Sequence, residues 1–273
     1  MNKTKIEYVD YTWNPVTGCL HDCKYCYARR IANRFKGWTD SDGSPHTDTI
    51  FKNQPRELSE PLYKAVEDKV GKWPKAPYPY GFKPTFYKYR LDEPKKLKKP
   101  SRILVVSMGD LFGGFIPDEW INQILEVVKE CSQHTFLFLT KNPNRYYSFK
   151  FPNNAWVGAS AVNRSDEKVI QMGKGFIVTN AHTIADTMSF FDRSFLSIEP
   201  LLNDVSQDID ISFIDWVIVG AQTGPGAIKP KEEWIQNLVD MAREYKVPIF
   251  LKDNLNWSEK IQEYPSFNKE KDR

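Results

Sequence analysis

No stretch of the 273 residues approaches the roughly 18 consecutive apolar residues of a membrane-spanning helix. The opening "MNKTKIEYVD" lacks the apolar core of a secretory signal. Cysteine is scarce. There are four, and three of them fall between residues 19 and 26, which is not the spacing of a secreted disulfide scaffold. Neither charge sign dominates: the net charge of +3 permits a polyanionic partner without requiring one. These absences point to a reducing, cytoplasmic setting with no membrane partner. The length and the 41% apolar content suit one large domain with a sizeable core.

From Ser101 onward the pattern is regular. "RILVVSM", "TFLFLTK", "AWVGASA", "SFLSIEPL", "DWVIVGAQ" and "VPIFLKD" read as strands. Between them, "IPDEWINQILEVVKEC" has Ile121, Ile124, Leu125 and Val128 on one helical face behind a Pro-Asp-Glu start. "SDEKVIQM" opens like a capped helix, and "KPKEEWIQNLVDMAREY" is amphipathic. With the N-terminal "YTWNPVTG" this makes about seven strands alternating with helices. The expected class is α/β, a partial (β/α) barrel in one domain over 1–273, with chemistry at the carboxyl ends of the strands. A doubly wound open sheet is the alternative, weakened because no Gly-rich dinucleotide fingerprint follows the first strand.

Residues 36–100 break the rhythm and read as an irregular basic-aromatic insertion, either a lid or a solvated loop. Within it, "KPTFYKYR" and "KKLKK" interleave cations with rings, as nucleic-acid surfaces do. An ordinary solvated charge face is the plainer reading.

The cysteine cluster is "GCLHDCKYC", spaced C-x3-C-x2-C at Cys19, Cys23 and Cys26. Structural zinc takes four protein ligands. His21 sits inside the first loop, where its geometry as a fourth ligand is poor, and His134 is a formal candidate. Three thiolates without an obvious fourth ligand better suit a [4Fe-4S] cluster with one iron open to a cofactor or substrate. Cys131, at the end of a helix, reads as a buried apolar side chain.

This loop resembles the signature of the radical S-adenosylmethionine (SAM) superfamily, C-x3-C-x-aromatic-C, with Tyr25 as the aromatic. The blocks "YTWNPVTGC", "VVSMGDLF", "TFLFLTKNPNR", "VGASA", "LSIEPLL", "DWVIVGAQTGPGA" and "VPIFLKD" resemble the phage- and prophage-associated Gp37/Gp68-like family of unknown function. A more distant similarity, through "LTK", is to spore photoproduct lyase. "GAQTGPGA" departs from the expected pattern, with Ala221 and Gln222 where Gly-Glu is expected. The resemblance implies a cluster on Cys19, Cys23 and Cys26, and SAM bound by Tyr25, Ser107, Asp110, Lys141, Ser160, Glu199, Gly220 and Gln222. Lys141 would meet the methionyl carboxylate, and Gly220 would let backbone approach the adenine. The lyase has a hydrogen-donating cysteine beside its SAM-binding serine, whereas the neighbours of Ser107 here are Val106 and Met108, so that repair chemistry is not implied. The implied activity is reductive cleavage of SAM to a 5′-deoxyadenosyl radical, with a flavodoxin-like or ferredoxin-like electron donor. The expected target is a nucleic-acid base or nucleotide, with phage DNA modification one instance, in the host cytoplasm if the chain is phage-encoded. The competing functions are a zinc-stabilised, non-catalytic nucleic-acid-binding module and a radical SAM enzyme acting on a peptide or small metabolite.

Overall fold

The computed structural model describes residues 1–39, 45–46, 54–64, 74–162, 170–172, 175–177 and 181–267. Eight strands form one sheet: β1 (Asn2–Lys3), β2 (Tyr11–Trp13), β3 (Arg102–Val105), β4 (Thr135–Thr140), β5 (Ala155–Ser160), β6 (Ser194–Ile198), β7 (Trp216–Val219) and β8 (Ile249–Leu251). They lie side by side in chain order. β1 is antiparallel to β2, and every other neighbouring pair is parallel. The order never reverses, so the switch point of a doubly wound sheet is absent. Among the described residues no strand pairing joins β1 to β8. The fold is mixed α/β on an open, mostly parallel sheet.

The helices are α1 (Tyr27–Arg34), α2 (Asp118–Glu130), α3 (Ala181–Met188) and α4 (Glu232–Tyr245). α2 begins where expected: Pro117 is its N-cap residue, and Asp118 and Glu119 in the first turn complement the helix dipole. The expected face of Ile121, Ile124, Leu125 and Val128 is buried, along with Trp120 and Val127. The capped helix expected at "SDEKVIQM" is not found in its described part. Ile170–Met172 is a strand paired antiparallel with Gly175–Ile177, and residues 163–169 lie outside the described residues. Ile170, Gln171 and Met172 alternate apolar and polar, a two-residue period that fits a strand.

Strand period decides what each side of the sheet does. Ile103, Val105, Phe136, Phe138, Val157, Leu196, Val217 and Ile249 belong to the core under the helices. The residues between them, Leu104, Leu137, Trp156, Phe195, Trp216 and Phe250, form a second core capped by Tyr8 and Val9. Trp216 packs edge-on against Tyr8 and Phe250, and tilted against Phe195. One and two steps further toward the carboxyl ends, this second face turns polar: Ser197, then Lys141, Ser160, Glu199 and Lys252. An aromatic plug therefore closes the amino half of the face, and the carboxyl half is left for chemistry.

The insertion is less separate than its composition suggests. Thr85–Tyr87 pairs antiparallel with Val16–Thr17 and parallel with Arg56–Leu58. Phe86 and Tyr87 are 0% and 1% exposed, and Phe86 stacks on Trp120 of α2 at 5.2 Å. Neither ring is available to a base, because burying them anchors the segment to the domain. Lys95 is engaged by Asp92 at 2.9 Å and Glu130 at 2.7 Å. The Lys95–Lys99 run leads into the amino end of β3, the edge opposite the cysteines. Phe86, Tyr87 and Lys95 are thus withdrawn from the candidate basic-aromatic surface, Lys96, Lys98 and Lys99 remain exposed, and Trp73 lies outside the described residues.

Gly158 is opposite Phe195 in the β5–β6 register, and a Cβ at Gly158 would run into the Phe195 ring. Trp216 holds that ring from the other side. Gly158→Ala is therefore expected to cost about 1–3 kcal/mol through overpacking, read as a lower urea midpoint with unchanged m.

Candidate functional site

The cysteine loop leaves the sheet after β2 and ends on α1. Gly18, with φ +92°, turns the chain there, and a Cβ would collide with the Lys83 carbonyl. Cys26 is the N-cap of α1, and its Sγ accepts from the Arg29 backbone N–H at 3.4 Å. The positive end of the helix therefore faces that sulfur. The Cys19 Sγ accepts from the His21 N–H, also at 3.4 Å.

His21 ties the loop to the sheet. Its Nε2 lies 2.8 Å from Asp110 Oδ2, and both side chains are under 8% exposed. Asp110 also accepts from Thr140 Oγ1 at 2.7 Å, from the Phe112 N–H at 3.1 Å and from the Lys141 N–H at 2.9 Å. Burial alone would raise its pKa. His21 and the donated hydrogen bonds outweigh that and hold the carboxyl below its ordinary value. Both carboxylate oxygens are thus engaged within the protein. In the structure Asp110 positions the cysteine loop and the end of β4.

The loop opens onto a cavity of about 610 Å³ at the carboxyl edge of the sheet. Cys19, Cys23, Cys26, Tyr25, Ser107, Asp110, Lys141, Ser160, Glu199 and Gln222 all line it. Of the residues expected from the sequence, Gly220 alone is not on its wall. The space a Gly220 Cβ would fill is taken by Glu199, 2.9 Å away, and Lys252, 3.0 Å away. Its missing side chain admits the Glu199–Lys252 ion pair.

Lys141 Nζ donates to the Tyr25 hydroxyl at 3.0 Å and lies over its ring. Burial alone would lower the Lys141 pKa, but Tyr25, Cys23 and Asp110 raise it, so the ammonium persists. Ser107 Oγ donates to Asn14 Oδ1 at 3.2 Å, and the Met108 N–H to the same oxygen at 3.0 Å. Val106, just before, has φ +59°, a costly conformation for a β-branched residue and one typical of functional turns. Gln222 Oε1 accepts from the Ile228 N–H at 3.0 Å and so shapes its loop.

Sequence reasoning missed the floor of the cavity, where Thr12, Leu104, Leu139 and Ser197 lie. Ser197 is 1% exposed, and its hydroxyl is buried without a protein partner. The signal was available: Ser197 stands two residues before Glu199 and so shares its face of β6. The buried Nδ1 of His21 also has no partner.

Burial pushes the Cys19 thiol well above its ordinary value and raises that of Cys23. Thiolates in such a place require positive charge beside them, which iron would provide. Among the described residues no three His, Cys, Asp or Glu side chains gather as ligands of a single metal ion. An iron–sulfur cube spreads its thiolates over three irons, so the donor set still suits a cluster. His134 lies at the amino end of β4, bonded at 3.3 Å to the Pro94 carbonyl, on the opposite edge from the cysteines. Cys131 is 2% exposed in the helix-side core.

Fold and site together define a mixed α/β protein with a three-cysteine loop at the mouth of one cavity. The chain belongs to the family described as "Protein of unknown function (DUF5131)", whose model matches residues 3–272. That description does not name the Gp37/Gp68-like family. No curated protein matches the chain. Among solved structures, it is similar to a mutant of spore photoproduct lyase with dinucleoside spore photoproduct, at 10% identity and a TM-score of 0.46, covering 89% of this chain and 63% of that one. A second is spore photoproduct lyase complexed with dinucleoside spore photoproduct, at 11% identity and 0.46, covering 89% and 75%. At this level the likeness assigns no chemistry. No helix among the described residues is long and apolar enough to cross a membrane.

Asp110→Ala should destabilise the protein by at least about 3 kcal/mol in chemical denaturation, since each buried donor left unpaired costs about 1–3 kcal/mol. Asp110→Asn keeps one accepting oxygen and should cost less. The carboxylate's share of stability is present above the ordinary aspartate value of about 3.9 and is lost as pH falls through the depressed value. Asp110→Asn should therefore flatten the acid limb of the stability profile.

Proposed function

We propose that the chain is a radical SAM enzyme acting on a nucleic-acid base or nucleotide, with its sheet forming the partial barrel of that superfamily. The observation that carries this reading is one of placement. The C-x3-C-x2-C loop and the polar ends of β4, β5 and β6 line the same cavity at the carboxyl edge of the parallel sheet. Cys19, Cys23 and Cys26 would hold the cluster. When bound, it supplies the electron for reductive cleavage of SAM and so the radical that abstracts a hydrogen from the substrate.

The protein's own groups then have distinct tasks. Lys141 presents a persistent ammonium, fixed by Tyr25, to the methionyl carboxylate. Ser160 and the Glu199–Lys252 pair offer acceptors and a donor to the amino group and the ribose. The apolar floor between Leu104 and Leu139 excludes water from a reactive radical. Thr12 and Ser197 give that floor hydroxyls for the polar edge of a flat ring.

Two measurements test this. Anaerobically reconstituted protein should carry about four irons per chain. Cys19→Ala, Cys23→Ala and Cys26→Ala should each lose them, while Cys131→Ala keeps them. Iron lost only in Cys131→Ala would overturn the ligand set. Separately, Lys141→Ala should keep its iron and bind SAM about one to two decades more weakly by calorimetry. That is the value of a charge-assisted hydrogen bond of about 1.5–3 kcal/mol.

A further inference from the structure

We propose that a single strand of nucleic acid lies along the outer face of α1 and delivers one base into the cavity. The inference rests on the nucleic-acid reading of the cavity and adds the path by which such a substrate is held.

Residues 27–36 read "YARRIANRFK", with four cations and no acid. Tyr27, Arg30, Ile31 and Arg34 recur at three- and four-residue intervals and share one helix face. Tyr27 is 44% exposed, Ile31 39% and Phe35, just beyond the helix, 42%. Arg29, off this strip, is engaged by Asp22. Arg30 and Arg34 are exposed and pair with no carboxylate among the described residues; their contacts are the Thr223 carbonyl and the Phe35 ring. Lys64 adds a further cation over Phe35 at 5.9 Å.

The strip is continuous with the cavity. Tyr27 lines the cavity, and its hydroxyl donates to the Ser107 carbonyl at 2.8 Å. Arg30 reaches across to Thr223, another lining residue, with Nη2 3.4 Å from its carbonyl. Four residues of helix separate Arg30 from Arg34 by about 6 Å along the axis, a spacing that successive phosphates of an extended strand can meet. Phe35 offers a stacking face of the kind single-strand binders use.

A second observation points to a ligand. The Ser197 hydroxyl, buried in the cavity floor, has no protein partner, and a buried hydroxyl left so is costly. A base edge entering from the lip would satisfy it. To reach that depth the base must leave its stack, which costs least from a single strand.

The test is fluorescence anisotropy with labelled single-stranded DNA and RNA oligonucleotides, and with a duplex, across a salt series. The parent should bind single strands more tightly than duplex. Arg30→Glu/Arg34→Glu should weaken single-strand binding and flatten the log–log salt slope by about 1.4, two phosphates at about 0.7 each. Replacing Lys95, Lys96, Lys98 and Lys99 with Gln should leave affinity and slope unchanged. Circular dichroism checks that the variants are folded. No single-strand affinity at low salt, an Arg30→Glu/Arg34→Glu variant that binds as the parent does, or a slope set by the four lysines would each overturn the proposal. Iron is measured on the same samples. Strand binding by a protein that takes up no iron leaves this surface standing and removes the cluster reading; iron uptake without strand binding does the reverse.

Discussion

The site depends on one buried carboxylate. Asp110 is reached by four donors from three parts of the chain: His21 from the cysteine loop, Phe112 from its own turn, and Thr140 and Lys141 from the end of β4. A buried charge is tolerated only when its hydrogen bonds are filled. Here the protein fills them with the elements that must be held in register. Loop, turn and strand end are fastened to one another through this group, and the sulfur-bearing wall keeps its place relative to the ammonium of Lys141. Asp110 thereby ties the cavity wall together from beneath.

The second constraint is the pleat. Because strand side chains alternate, a plug of Leu137, Trp156, Phe195, Trp216 and Phe250 at one level leaves positions two and four residues on facing the same interior. The plug keeps the lower half dry and rigid. The upper half holds the cavity, lined by the three thiols and by the Glu199–Lys252 ion pair. In this low-dielectric setting the Lys141 ammonium and the Glu199 carboxylate act on any charge that enters more strongly than they would in water.

Much of this was legible beforehand, and for a common reason. Apolar runs of four to eight residues with polar ends identify buried strands, so Lys141, Ser160 and Glu199 were recognisable by where the runs stopped. The cysteine spacing identified its own loop. What stayed hidden depends on pairing across long separations. Nothing local in "TFYK" says that Phe86 will stack on Trp120, so rings that bury themselves looked like rings on offer. Asp110 looked like a free strand-end acid because its partners lie 30 and 89 positions away. The α1 strip was overlooked because the lysine run near residue 95 has the higher charge density, although Asp92 and Glu130 occupy Lys95.

Gly220 bears on how this site can change over evolutionary time. Its missing side chain is the space that Glu199 and Lys252 occupy, so three residues just past the ends of three strands make up one unit. Any larger residue at 220 displaces the pair, and losing either partner strands the opposite charge at the cavity wall. A substitution at one of these positions is therefore felt at the other two, and compensating replacements are expected among the three. The family's lineages should hold the triplet as a block or exchange it as one, so that these columns covary even where the strands around them diverge.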